Sequence, residues 1–530
     1  MDRRDFLAHI NKSTFLLTSA AAGLSLFPAQ NATASFFSLP DSRLKEAYRL
    51  REKLARAQSR IPVPEHPVNG DEQLYENLIA NFSKGLPAND LGEVDKKAYM
   101  QLKHALTTGR PGDFDKIPMG GPLRLANPQA ALAWQLDGAD SHHLGIQPPP
   151  PFASEEQAGE LVELYWHALA RDVPFSRYGK EPITRAAIDE LKTFKRYEGI
   201  DENSLFRGET ADVKTGPYLS QFLWMTIPYG SQKIIQKYNS PLAGKNFMTD
   251  ADECLRIQRG AESRDRIIHA ASTRYVRTGR DMGEWVHSDY AFQGFLNAGL
   301  ILVSFGDDAL KPDHPYRDSV NQMGATTLGG PEILSLVAHA ANCAQKAAWY
   351  QKWLLHRRIR PEAYGLRVHN HVTGRAKYPI HEKLLNSVAL EKIHSMTGNY
   401  VLPMAYPEGC PAHPSYPAAH AVTVGACMTI LKAFFDEDFI FPEPVEAYDN
   451  GFTLRAYRGG DLRVGGELNK LAANIALARD FAGLHWRSDS MNGIKLGEQV
   501  ALRLLMDQQH TYNEKFRFSL TLTDGTKVKI

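Results

Sequence analysis

Cysteine is scarce in this chain: four residues in 530, Cys254, Cys343, Cys410 and Cys427, with no C-x-x-C spacing between them. That excludes a zinc-thiolate or thioredoxin-type site. The four allow three complete pairings, and the sequence does not choose between a Cys410–Cys427 bridge and free buried thiols. An excess of charge of one sign is also missing, since 61 basic residues face 60 acidic ones for a formal net charge of +1. No overall field draws the chain to nucleic acid or to an anionic membrane, so any anion has to be gathered locally. Beyond the N-terminus no apolar run reaches the length of a membrane span. There is no internal repeat, no Walker loop, no H-E-x-x-H, and no G-x-G-x-x-G placed after a strand. What is present, 43% hydrophobic and 23% charged residues, suits a globular chain with a substantial core.

The first 34 residues carry Arg3-Arg4-Asp-Phe-Leu7, an apolar run over 13–27, and Ala32-Thr-Ala34 before Ser35. This order predicts a twin-arginine export signal removed on maturation, and hence a periplasmic or secreted protein. Residues 35–150 read as an N-terminal wrapping region without visible chemistry, with a helical patch over 44–59, and residues 151–530 as the catalytic domain.

Ser154-Glu-Glu-Gln157 is a capping box ahead of Leu161, Leu164, Tyr165, Ala168 and Leu169, which predicts a helix with one buried face. Tyr218, Phe222, Trp224 and Tyr229 crowd together as core or subunit contact. Helical patterning spans 282–304. Gly329-Gly-Pro331 then starts a helix expected to run to about Arg358 and to be stopped by Pro361. On it Lys352, His356 and Arg360 stand four apart and share a broad face, with His356 read as a structural neighbour. His369 and His371 are expected in a solvated basic loop. Residues 442–466 form a glycine-rich connection, and 516–530 alternate about Asp524-Gly525 as a hairpin. The chain is therefore predicted to be mainly α, a helical bundle with a small C-terminal β-hairpin.

Chemistry concentrates in 410–427, Cys-Pro-Ala-His-Pro-Ser-Tyr-Pro-Ala-Ala-His-Ala-Val-Thr-Val-Gly-Ala-Cys. A loop carrying His413 enters a small-residue helix expected to open near Pro417, whose N–H groups at Ala418, Ala419 and His420 face outward as an anion seat. A third stretch brings Arg479, His485 and Asp489. Arg479 and His485 are six apart, about 240° round a helix at 100° per residue, so they converge only if the helix ends between them; Gly483 is placed to end it. Three cations, three histidines and a carboxylate suit a tetrahedral anion.

Lys-x7-Arg-Pro, Pro-x-x-His and Arg-x5-His-x3-Asp, in this order, resemble the signature of the vanadium haloperoxidase and type 2 phosphatidic acid phosphatase superfamily. The seven residues between Lys352 and Arg360, and His413 seven before His420, resemble its algal-type bromoperoxidase branch. Further likenesses lie in 154–175, in Tyr218-Leu-Ser-Gln-Phe-Leu, in Ile227-Pro-Tyr-Gly230 and in the terminal hairpin, so the resemblance covers most of the chain from about 150 onward. It implies a vanadium haloperoxidase-like helical bundle with vanadate as cofactor. His485 would bond the metal, while Lys352, Arg360, Arg479 and the backbone N–H of Ala419 would hold oxygens. His420 would hydrogen-bond the apical oxygen, His413 would assist proton transfer, and Asp489 would orient His485 or stand in solvent. It further implies hydrogen peroxide, a halide (bromide or iodide) and an organic acceptor as partners, Lys352 polarising the peroxide, and a homo-oligomer. Where the family usually has Pro-Ser-Gly-His, this chain has Pro417-Ala-Ala-His420, so a hydroxyl donor worth about 1.5–3 kcal/mol is absent at Ala418. Two alternatives stand beside this reading: an exported acid phosphatase with His485 as nucleophile, and an anion-binding relative without turnover.

Overall fold

A computed structural model describes residues 40–530; the expected export signal lies outside the described residues. Helix α1, Pro40–Ser59, belongs to a first unit, Met1–Arg60. Arg56 and Glu52 pair across one of its turns, and most of its side chains are exposed. The second unit, Ile61–Ile530, includes residues 61–150.

This second unit is mainly α. Its organising helices are α2 (Glu155–Ala170), α3 (Gly279–Trp285), α4 (Gln293–Ser304), α5 (Gly330–Tyr350), α6 (Pro361–Val372), α7 (Ala419–Phe434), α8 (Val464–Phe481) and α9 (Arg487–Gln508). At its centre α7 packs on α5, α8 and α9. The approach of α7 to α9 is close because both present glycine at the crossing. A Cβ on Gly425 would stand 2.2 Å from Ile494 O, and one on Gly497 2.1 Å from Val422 O. Small residues thus let the two backbones meet, and α7 is buried along its whole length beyond its first two residues. The strands form three separate two-stranded antiparallel hairpins: Ile227–Tyr229 with Gln232–Ile234, Val445–Ala447 with Leu454–Ala456, and Ser519–Thr521 with Lys527–Lys529. The last is the expected C-terminal hairpin, with Gly525 at φ +86°.

Several local expectations are corrected. The helix expected to reach Arg358 ends earlier. After Tyr350 it widens into a π-helical turn, Gln351–His356, and Arg357 takes a left-handed φ of +37° that reverses the chain. Lys352 and Arg360 therefore do not share a helix face. Pro361 opens α6 at its first turn instead of stopping α5, and Arg360 is the residue just before it. His369 and His371 lie within α6, half-buried, and accept from the N–H groups of Tyr400 and Tyr378. Patterning over 282–304 is interrupted between α3 and α4. Helix α2 is capped by Ser154, which accepts from Gln157 N, but it is buried nearly all round because its polar face meets buried cations: Arg358 donates to Gln157 and Glu160, and Arg487 to Glu163. The 442–466 connection holds a hairpin. Tyr218, Phe222 and Trp224 are core, whereas Tyr229 is exposed. All four cysteines are free and buried, so no 410–427 bridge forms. Among the described residues no helix is long and apolar enough to cross a membrane.

Candidate active site

Three chain reversals bring the motifs together. Arg357 turns the chain so that Arg360 comes back beside Lys352. At the end of α8, Gly483 adopts φ +84°, and Leu484 N donates to Arg479 O, so His485 returns toward Arg479 as the glycine predicts. The third is the 410–418 loop, which lies across the cations. Lys352 Nζ donates to Pro414 O (2.9 Å) and Ser415 O (2.7 Å), and Arg360 Nε to His413 O (2.9 Å).

His485 and His413 both meet Arg360. Its Nη1 donates to Leu484 O and stands 3.0 Å from His485 Nε2; its Nη2 stands 2.9 Å from His413 Nδ1. A guanidinium only donates, so His485 Nε2 is an acceptor, whereas His413 Nδ1 also lies 3.1 Å from the Pro414 carbonyl, which only accepts. His485 Nδ1 carries the proton and donates to Asp489 Oδ2 at 2.8 Å, leaving the Nε2 lone pair turned toward the cations. Asp489, fully buried and not solvated, is the third residue of α9. It also accepts from Trp486 N (3.2 Å), from Ser415 Oγ, and on Oδ1 from Arg358 Nη1 (2.7 Å). Arg358 in turn reaches Ser488 and Glu160, forming a network that holds the carboxylate in place.

Burial, then the charges of Arg360 and Lys352, pushes the His485 pKa well below the usual histidine range; the same causes act on His413. Burial and the neighbouring Arg360 charge push Lys352 well below the ordinary lysine value, and burial lowers Arg360. The pocket thus holds neutral imidazoles among cations that lack a full set of counter-charges. Arg479 donates from Nη1 to Val286 O (2.7 Å), and its buried Nε has no hydrogen-bond partner. His420, half-buried, sets Nε2 2.9 Å from Asp289 Oδ1, whose other oxygen is buried and unpaired.

The anion seat differs in detail from its expected form. Helix α7 begins at Ala419, so Pro417 stands outside it. Ala418 is its N-cap, has no side-chain capping bond, and donates its own N–H to Asp489 O. The outward-facing N–H groups begin at Ala419 and His420.

Lys352, Arg360, Arg479, His485, His413 and His420 therefore lie together, with Ala419 next to His420 at the helix start and Asp489 behind His485. His356 lies apart, buried near Gln351 and edge-on to Tyr416, its pKa lowered by burial to about 3. Sequence reasoning missed Asp289 and Val286, which lie in the break between α3 and α4 and carry no spacing signal. It also missed Ser415, and Trp349, whose ring lies 5.0 Å from that of His413. Arg358 sits within His356-Arg-Arg-Ile-Arg360, but nothing in the string separates it from Arg357, which pairs with Glu72.

An uncompensated buried cation cluster, an unpaired Arg479 Nε, an uncapped helix start and an imidazole lone pair met by Arg360 together fit an oxyanion of a transition metal. Fold and site define a helical, histidine-bearing oxyanion-binding protein. Residues 332–514 match the family model described as "VCPO second helical-bundle domain". The chain is 34% identical to the vanadium-dependent bromoperoxidase of Ascophyllum nodosum, covering 93% of each, and 33% identical to that of Corallina pilulifera, covering 92% of this chain and 98% of the relative. It is also similar to the homohexameric structure of the second vanadate-dependent bromoperoxidase (AnII) from Ascophyllum nodosum, with TM-score 0.90 and 28% identity over 97% of this chain and 95% of that one. The chain belongs to the vanadium-dependent bromoperoxidase family.

Proposed function

We propose that this protein is a vanadate-dependent haloperoxidase that uses hydrogen peroxide to oxidise bromide, giving a hypohalous species that halogenates or oxidises an organic acceptor. Family membership supports this activity. The observation that carries the residue assignment is the His485 tautomer, with Nδ1–H fixed on Asp489 and Nε2 facing Arg360, in the field of Lys352 and Arg479. His485 Nε2 would ligate vanadium. Lys352 retains a third N–H, beyond those given to Pro414 and Ser415, for an oxygen. Arg360, Arg479 and the Ala419 N–H would neutralise the remaining oxygens. Bound vanadate would supply a Lewis-acidic centre that activates peroxide without changing its own oxidation state.

The surrounding residues handle orientation and protons. Lys352 brings positive charge to the peroxide. His413, held neutral by burial and by Arg360, is available as a proton acceptor at neutral pH. Asp289 holds His420, which would hydrogen-bond a bound oxyanion. The named relatives do not favour the phosphatase alternative. The Arg3-Arg4 segment supports export to the periplasm or beyond, and the homohexameric AnII supports a homo-oligomer. Bromide- and peroxide-dependent halogenation of a phenol dye, with and without orthovanadate, tests the reading. Turnover that needs vanadate is expected; full activity after exhaustive dialysis against chelator and phosphate overturns it.

A further inference from the structure

The break between α3 and α4 does two jobs at the site: Val286 O receives Arg479, and Asp289 receives His420. Between them lies His287, which touches none of the oxyanion residues and has no part in the chemistry above. It is nonetheless held on three sides. Nε2 stands 2.7 Å from Glu408 Oε1, Nδ1 stands 3.4 Å from Glu284 Oε2, and the ring lies flat on Tyr406 with centroids 3.8 Å apart and planes 13° from parallel. Each support is itself anchored. Tyr406 donates to Gly283 O, His269 faces Glu284 at 2.8 Å, and Lys84 donates to the Glu408 carbonyl and to the buried carboxylate of Glu362, which also receives Cys410 N.

We propose that His287 is a positioning residue that fastens the 286–289 segment to the 406–408 loop and thereby sets where Arg479 and His420 stand in the oxyanion pocket. The inference rests on the haloperoxidase reading. An imidazole can donate to Glu408 and pair across 3.4 Å with Glu284 only when both nitrogens carry protons; a neutral ring turns a lone pair toward Glu284 or Glu408 and repels it. The groups facing His287 are Glu284, Glu408 and Tyr406, with His269 and Lys84 behind them and Arg479 and Asp289 on either side. Burial pushes the His287 pKa down, but the Glu284 and Glu408 carboxylates outweigh it and raise it to about 9. A raised folded-state pKa means the fastening is complete below the free-histidine value and is lost as pH rises through about 9. The segment is therefore closed at neutral pH and released in alkali.

Two variants test this. His287→Phe keeps a flat ring on Tyr406 but no donors, and His287→Arg keeps a flat, permanently charged group. Vanadate affinity is measured for both and for the unaltered protein at pH 7 and pH 10, along with amide hydrogen exchange of the 286–289 peptide in vanadate-free protein, compared at equal pH. The phenylalanine variant should bind vanadate about 10–100-fold more weakly at pH 7, and its 286–289 amides should exchange faster. The arginine variant should match the unaltered protein at pH 7 and retain protection of those amides at pH 10, where the unaltered protein loses it. Unchanged affinity and exchange in the phenylalanine variant overturn the inference, as does an equal alkaline loss of protection in the unaltered and arginine proteins. Failure of the unaltered protein to bind vanadate at pH 7 overturns the haloperoxidase reading, and this inference falls with it.

Discussion

His485 commits one nitrogen to Asp489 and turns the other to the pocket, so His485→Ala removes the imidazole proposed to ligate vanadium. Vanadate binding and bromide turnover should both disappear while circular dichroism keeps its helical signature; retained peroxidase turnover would refute the metal assignment. Asp489→Ala acts twice. It leaves Arg358 buried with one carboxylate fewer, which should cost about 3–5 kcal/mol in denaturant unfolding, and it frees His485 to take the other tautomer, which should weaken vanadate about 10–100-fold. Ala418, where the motif resemblance leads to an expected serine, is the uncapped N-cap of α7. Ala418→Ser should stabilise the fold by about 1 kcal/mol through a capping bond and should also tighten vanadate. A raised melting temperature with unchanged vanadate affinity would mean that the hydroxyl caps the helix without meeting the oxyanion.

Between elements, the site depends on how close α7 and α9 come. Helix α7 presents Ala419 and His420, whereas α9 begins beside His485 and carries Asp489. Gly497→Ala places a methyl group against Val422 O and Ala426 N, both main-chain atoms that cannot rotate away. The helices must separate, at a cost of about 1–3 kcal/mol or more. The variant should therefore melt earlier and bind vanadate more weakly even though position 497 touches no site residue. A variant as stable as the parent would show that this crossing can relax. Gly483, at φ +84° and with Met404 Sδ 3.0 Å from where its Cβ would stand, has a parallel role in returning His485 toward Arg479.

For the whole molecule, a ligand bound only by the folded state raises apparent stability. Orthovanadate at 100 times its dissociation constant should add about 2.7 kcal/mol, read as a rise in melting temperature. Phosphate, which draws on the same Lys352, Arg360 and Arg479, should give a smaller rise, compete with vanadate and inhibit turnover. A vanadate-induced shift insensitive to phosphate would place the two anions at different sites. If the family's assembly extends to this chain, light scattering should read a multiple of the chain mass, independent of vanadate.

The sequence by itself determined the helical class and the terminal hairpin, because helix periodicity and turn chemistry are local properties of the chain; fixed motif spacings named the residues proposed here for the oxyanion pocket. Gly483 as the turn that brings His485 back was legible for the same reason: glycine's freedom at positive φ does not depend on its surroundings. Lys352 and Arg360 were expected on one helix face, but a left-handed Arg357 brings Arg360 back beside Lys352 instead; nothing local marks an arginine for that conformation. The exact start of α7, the burial of Asp489, and the roles of Arg358, Ser415, Asp289 and His287 were decided only by tertiary structure. Each depends on which distant segment supplies the partner, from α2 to the 406–408 loop. A buried charge or a hydrogen-bonded carboxylate acquires its function from desolvation and from neighbours far away in the chain, and neither is encoded in spacing.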